Sequence, residues 1–179
     1  KLNAGGINGF MRHILNSNGI LRHSEAQMDM VRLGLGLYGL SSNKEFREKL
    51  KPISRLKTKL SQVRMTPKGE GVGYSPKRRL EKDTRIGVIA MGYADGLPRA
   101  LGNGKGSVWI NGKTAPFVGN ICMDMAMIDL TGIEASEGDE VEIFGDKNSI
   151  YTLAENLNTI PYEVLTNISQ RVKRVYFKE

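Results

Sequence analysis

Over residues 56–144 the apolar side chains come in short runs, each closed by a loop that carries glycine, and this rhythm constrains the chain to a mainly β fold. Leu56, Thr58 and Leu60 alternate with polar neighbours, and Val63 and Met65 resume one position out of phase, which predicts a long strand with a bulge. Further strands are predicted over residues 85–91, 107–110, 114–118, 125–130, 140–144 and 168–177. Asn111-Gly112 between two of them reads as a type I′ hairpin turn. Helices are scarce and late. One is expected over residues 151–157, and a second is capped by Thr159, with Pro161 in its first turn and Glu163 and Leu165 along it.

Residues 12–17 and 30–38 read as two more short strands, joined by the polar residues 24–29. In the second, Val31, Leu33, Leu35 and Leu37 fall on one face, and Arg32, Gly34, Gly36 and Tyr38 on the other. An arginine among small residues suits a ligand; the plainer reading of Arg32 is a solvated cation at a strand end. Residues 42–51 turn charged, with Asn43 as a helix cap, and Pro52 closes them as a linker. Two domains are therefore expected, over residues 1–50 and 51–179.

The net charge of +7 comes from 26 Lys and Arg against 19 Asp and Glu in 179 residues. The cations are scattered rather than gathered in a block, and aromatic residues are only 7%, which argues against a nucleic-acid binder and leaves small anions as fitting partners. Cys122 is the single cysteine, so no internal disulfide forms, a thiol-rich metal site is excluded, and a cytoplasmic location fits best. With two histidines, His13 and His23, a His-based metal cluster is not expected either. There is no apolar run long enough for a bilayer, and no basic-then-apolar leader, so no membrane partner is expected.

Three loops interrupt the strands with chemically useful residues: Gly71-Val72-Gly73-Tyr74-Ser75, Gly92-Tyr93-Ala94-Asp95-Gly96 and Ile121-Cys122-Met123-Asp124. A tyrosine at a strand end, flanked by glycines that admit a ligand to the backbone, can serve as a positioned phenol for proton transfer. The plainer reading of each is an amphipathic rim residue that packs.

Taken in order, MVRLGLGLYG at 30–39, GVGYS at 71–75, IAMGYADGLPR at 89–99, VGNICMDM at 118–125, IPYEVLTNIS at 160–169 and QRVKRVYF at 170–177 closely resemble alanine racemase. The resemblance implies a homodimer in which an N-terminal (β/α)₈ barrel carries pyridoxal 5′-phosphate on a lysine and a C-terminal β-barrel domain closes the partner's site. Residues 12–40 then look like the last two strands of the first barrel, and residues from about 50 onward like the whole β domain. No segment matches the one that carries the cofactor lysine, so the chain alone is expected to be inactive. Residues 1–10 faintly resemble an earlier barrel-strand motif, but Asn8 stands where that motif has arginine, and no role is carried over.

By the same resemblance, Tyr74 corresponds to one of two catalytic bases, acting across the dimer on one face of the substrate α-carbon. A free phenol is almost wholly protonated at neutral pH, and in the family its activation comes largely from barrel residues with no counterpart here. Arg32 corresponds to the arginine at the pyridine nitrogen of the cofactor, and Ser17, the backbone amides of Gly34 and Leu35, and Tyr162 to the phosphate-binding groups. Met123 and Asp124 correspond to the loop whose backbone N–H holds the substrate carboxylate. Tyr93 and Arg99 correspond to the corridor that admits only small substrates. Asn120 stands where relatives often carry a second corridor arginine, so the resemblance implies an entrance with one cation fewer.

The implied activity is interconversion of L- and D-alanine for peptidoglycan precursors. One alternative is a related pyridoxal-phosphate enzyme, a broad-specificity racemase or a basic amino-acid decarboxylase; Arg32 argues against the decarboxylase, which places a carboxylate at the pyridine nitrogen. The other is a stand-alone β module that binds an acidic partner in a salt-dependent way.

Overall fold

The computed structural model describes residues 5–6, 8–76 and 79–178, so part of the weak motif at residues 1–10 lies outside the described residues. The chain divides into two compact units, Lys1–Ser54 and Arg55–Glu179.

The first unit corrects the strand expectations. Instead of a two-stranded ladder over 12–17 and 30–38 there is one parallel bridge, Asn16 to Arg32, with the Arg32 amide donating to the Leu15 carbonyl at 2.9 Å. The first segment cannot continue as a strand because the Asn16 side chain accepts from the Gly19 amide at 3.0 Å and so caps helix α1, Ser17–Arg22. The second bends into a 3₁₀ turn over Leu35–Tyr38, ended by Gly39 at φ +69°. A Cβ on Gly39 would lie 1.8 Å from the Lys51 carbonyl oxygen, so glycine is required there on two counts. Period-two alternation is lost in such a turn, and Leu33 and Leu37 stand 48% and 62% exposed while Leu15 and Leu40 are buried. Arg12 pairs with both oxygens of Asp29, at 2.9 and 3.0 Å, and ties the two segments together. Asn43 caps α2, Lys44–Arg47, as expected, accepting from the Glu45 amide at 3.0 Å.

The second unit is a closed antiparallel barrel of six strands: β1 Leu56–Thr66, β2 Thr84–Ile89, β3 Ser107–Ile110, β4 Lys113–Val118, β5 Ala126–Asp129 and β6 Glu140–Phe144. The order is β1-β2-β5-β4-β3-β6, with β6 returning to β1. β1 serves two neighbours: residues 56–59 pair with β6, and residues 60–66 with β2. Its register shifts between Leu60 and Gln62, where the alternation slips phase in the sequence. Asn111 and Gly112 both take positive φ, +44° and +84°, as the primed turn between β3 and β4 requires. Ile89, Val108, Ile110, Phe117, Ile128, Val141 and Ile143 fill the barrel, while Ile86, on the opposite face of β2, packs with Val72, Cys122 and Met127.

Helix α3, Ile150–Asn156, lies where it is expected, while α4, Pro161–Thr166, starts with proline but is not capped by Thr159. Its N-cap is Ile160, which has no side-chain acceptor; the Thr159 hydroxyl donates instead to the Glu163 carboxylate. Residues 168–177 form no strand. A closed barrel has no open edge to offer them, and three of their carbonyls are satisfied locally: the Arg174 guanidinium donates to Ile168, Ser169 and Val172 at 2.9, 2.6 and 2.8 Å.

Candidate functional site

In the first unit, Ser17, Arg32 and Gly34 come together. Ser17 opens α1, and its hydroxyl oxygen accepts from the Gly34 amide at 2.9 Å and the Gly36 amide at 3.3 Å. A hydroxyl that accepts two N–H groups has its own proton left to donate, which suits an oxyanion. Leu35 follows at the start of the 3₁₀ turn, and a Cβ on Gly36 would strike the Leu33 side chain. The bridge to Asn16 holds the Arg32 backbone one residue from Ser17, and the exposed guanidinium donates to the Ile14 carbonyl at 3.3 Å. This donor set fits the phosphate and ring nitrogen of pyridoxal phosphate: a hydroxyl whose oxygen is held by two glycine amides and whose proton is left to donate, and a fixed cation beside it.

In the second unit, three loops distant in sequence are laced backbone to backbone. The Tyr93 amide donates to the Cys122 carbonyl at 2.9 Å, and the Ala94 amide to the Met123 carbonyl at 3.0 Å. A Cβ on Gly92 would lie 2.3 Å from both of those oxygens, so only glycine permits the approach. The third loop joins where the Ser169 amide donates to the Asp95 carbonyl at 3.0 Å. Tyr93, Met123 and Asp124 thus share one rim, with Tyr93 45% and Met123 53% exposed.

Arg171, which sequence reasoning missed as a site residue, pins that rim. Its Nε donates to Asp95 at 2.7 Å and its Nη2 to Asp124 at 2.6 Å. Partial burial disfavours the charged form of Asp95, but hydrogen bonds from Arg171 and the Gly92 amide outweigh it, so its carboxyl is held below the usual range. The same two carboxylates raise the Arg171 guanidinium further. The one signal in the sequence was an arginine in QRVKRVYF, read as a strand residue.

Tyr74 stands on a neighbouring loop, 79% exposed, with its carbonyl accepting from Asn120 Nδ2 at 2.9 Å. Asn120 is not an open corridor position: it is buried, and its Oδ1 accepts from Asn103 Nδ2 at 3.0 Å. Arg99 begins a 3₁₀ turn, Arg99–Leu101, as an exposed cation, and Tyr162 lies on α4, 38% exposed. Neither is joined to the rim by a side-chain hydrogen bond among the described residues.

A family model for the alanine racemase C-terminal domain matches residues 53–176, and one for the alanine racemase N-terminal domain matches residues 1–42. The alanine racemase of Helicobacter pylori strain J99 is 42% identical over 177 residues, covering 92% of this chain and 47% of the relative. A structure of the Bacillus anthracis alanine racemase with bound L-Ala-P superposes with a TM-score of 0.90 at 34% identity, over 99% of this chain and 47% of that one. A structure of the Bartonella henselae alanine racemase with covalently bound pyridoxal phosphate gives 0.84 at 33%, over 97% and 49%. The chain spans about half the length of the curated relatives it matches.

Proposed function

The chain belongs to the alanine racemase family, and we propose that it is the C-terminal part of an enzyme that interconverts L- and D-alanine with pyridoxal 5′-phosphate. The observation that carries this reading is the rim in which Tyr93, Met123 and Asp124 are laced together, with the loop of the exposed Tyr74 tied by Asn120 to the segment that leads into it. Such a rim offers backbone donors for a small carboxylate and a group able to move a proton next to it.

When bound, pyridoxal phosphate supplies the electron sink that acidifies the α C–H of an amino acid. The Ser17 hydroxyl, oriented by the Gly34 amide that donates to it, and the Leu35 amide would hold its phosphate, and Arg32, permanently charged, would donate to the ring nitrogen and keep a proton off it. The phosphate role proposed for Tyr162 rests on the family resemblance alone. Tyr74 gives and takes the proton on one face of the α-carbon, through its phenol oxygen. Inversion needs a second base on the opposite face, and in this reading that base is the cofactor lysine, which lies outside this chain. Backbone N–H groups at Met123 and Asp124 orient the substrate carboxylate, and Tyr93 with Arg99 narrows the entrance to small side chains. Asp95 and Arg171 keep that backbone in register.

The working unit is a homodimer in which this rim closes the partner's site; the exposed Tyr74, Tyr93, Met123 and Met125 supply apolar area for it. D-alanine for peptidoglycan precursors implies a cytoplasmic enzyme, and a single cysteine accords with a reducing compartment. Among the described residues no helix is long and apolar enough to cross a membrane.

The test is a substrate panel on the full-length protein carrying this sequence. Alanine is expected to be racemised fastest, serine more slowly and larger side chains scarcely, while this chain by itself turns over none. Decarboxylation of basic amino acids without alanine racemisation would overturn the reading.

A further inference from the structure

We infer that Asn120 is the positioning residue for the tyrosine of proton transfer: its buried amide clamps the main chain of Tyr74 and so decides where the phenol stands. The inference rests on the reading of Tyr74 as the base for one face of the substrate.

Three observations carry it. Asn120 is 6% exposed, yet both ends of its amide are used: Nδ2 donates to the Tyr74 carbonyl at 2.9 Å and to the Ser75 carbonyl at 3.4 Å, and Oδ1 accepts from Asn103. The two loops also touch through their backbones. A Cβ on Gly119 would lie 2.2 Å from the Val72 carbonyl oxygen, and one on Gly73 would lie 3.1 Å from the Asn120 carbonyl oxygen. Ser75, next to the tyrosine, is held at φ +47°, a conformation that a side-chain-bearing residue keeps only when its surroundings impose it.

Within this chain the Tyr74 ring, at 79% exposure, gains little from packing, so the main chain is what this chain itself contributes to its direction. A shift of the loop therefore displaces the phenol oxygen. The amide suits the task because it donates to one partner and accepts from another; an arginine at this position has donors only and could not accept from Asn103. The position is therefore a clamp rather than a vacated entrance cation.

The test uses the full-length, cofactor-loaded protein and its Asn120→Ala, Asn103→Ala and Tyr74→Phe variants. Deuterium washout at the α-carbon is started separately from L- and D-alanine, and amide exchange is followed at residues 73–75. Asn120→Ala is expected to slow exchange on the tyrosine face by about 10- to 100-fold, the scale of a misplacement near 1 Å. The other face changes less than about twofold, and the residue 73–75 amides exchange faster. Equal losses on both faces, or a loosened loop with unchanged washout, overturn the inference. Should Asn120→Ala fail to fold, Asn103→Ala decides by the same asymmetry, smaller in size, and equal faces again overturn it. An asymmetric Tyr74→Phe beside a symmetric Asn120→Ala removes only the clamp, whereas a symmetric Tyr74→Phe removes the tyrosine assignment and the clamp with it.

Discussion

Arg171 and Asp124 stand 47 positions apart in sequence and 2.6 Å apart in space, and the same guanidinium reaches Asp95 at 2.7 Å. One cation thereby holds two of the loops that form the rim. Arg171→Met is expected to free Asp124 and raise the KM for alanine in the full-length protein by about 10-fold, with a smaller change in kcat. Steady-state kinetics checks this. A lowered melting temperature with KM unchanged would show that Arg171 serves stability alone.

Tyr74→Phe keeps the ring and removes only the acidic oxygen. Loss of a general base costs on the order of 10²- to 10⁴-fold, and here the loss should fall on one face of the α-carbon. Washout without inversion is expected to persist from the enantiomer deprotonated by the opposite base, measured by mass spectrometry in deuterated solvent. Small, equal losses from both enantiomers would mark Tyr74 as a packing residue.

Asp29 gives the first unit a pH dependence of known sign. Hydrogen bonds from the Arg12 side chain and backbone hold its carboxyl at about 2, against an ordinary 3.8. The unfolded chain takes up this proton first as the solution acidifies, so the contribution is complete above about 4 and lost as pH falls toward about 2. Protection of the Arg32 amide, which donates to Leu15, should decline over that interval, and Arg12→Met should flatten the decline.

Gly92→Ala tests how tightly the Tyr93 and Met123 loops are apposed. Its Cβ would meet two carbonyl oxygens at 2.3 Å, atoms that cannot rotate away. A cost of about 1–3 kcal/mol is expected, as for overpacking in a core, read from urea unfolding of the second unit. An unaltered midpoint would mean that the loops part easily.

Period-two alternation and turn chemistry are local properties, so the sequence by itself determined the six barrel strands, the slip after Leu60 and the primed turn at Asn111-Gly112. It also placed Tyr74, Tyr93, Met123 and Asp124 on loops, because their glycine-bearing runs break the alternation. Only the tertiary structure decided which strands are neighbours, since closure brings β6 back to β1 and no local pattern records that. Closure in turn explains why residues 168–177, strand-like in composition, are left without a strand to join. At residues 30–38 alternation misled for a different reason: with one bridge to Asn16 as its ladder contact among the described residues, the segment gains more from a glycine-ended 3₁₀ turn. The partners of Arg171 and Asn120 were illegible for the same cause as the strand order. Their hydrogen bonds join positions 76, 47 and 46 residues apart, and such pairings exist only once the barrel has folded its loops onto one rim.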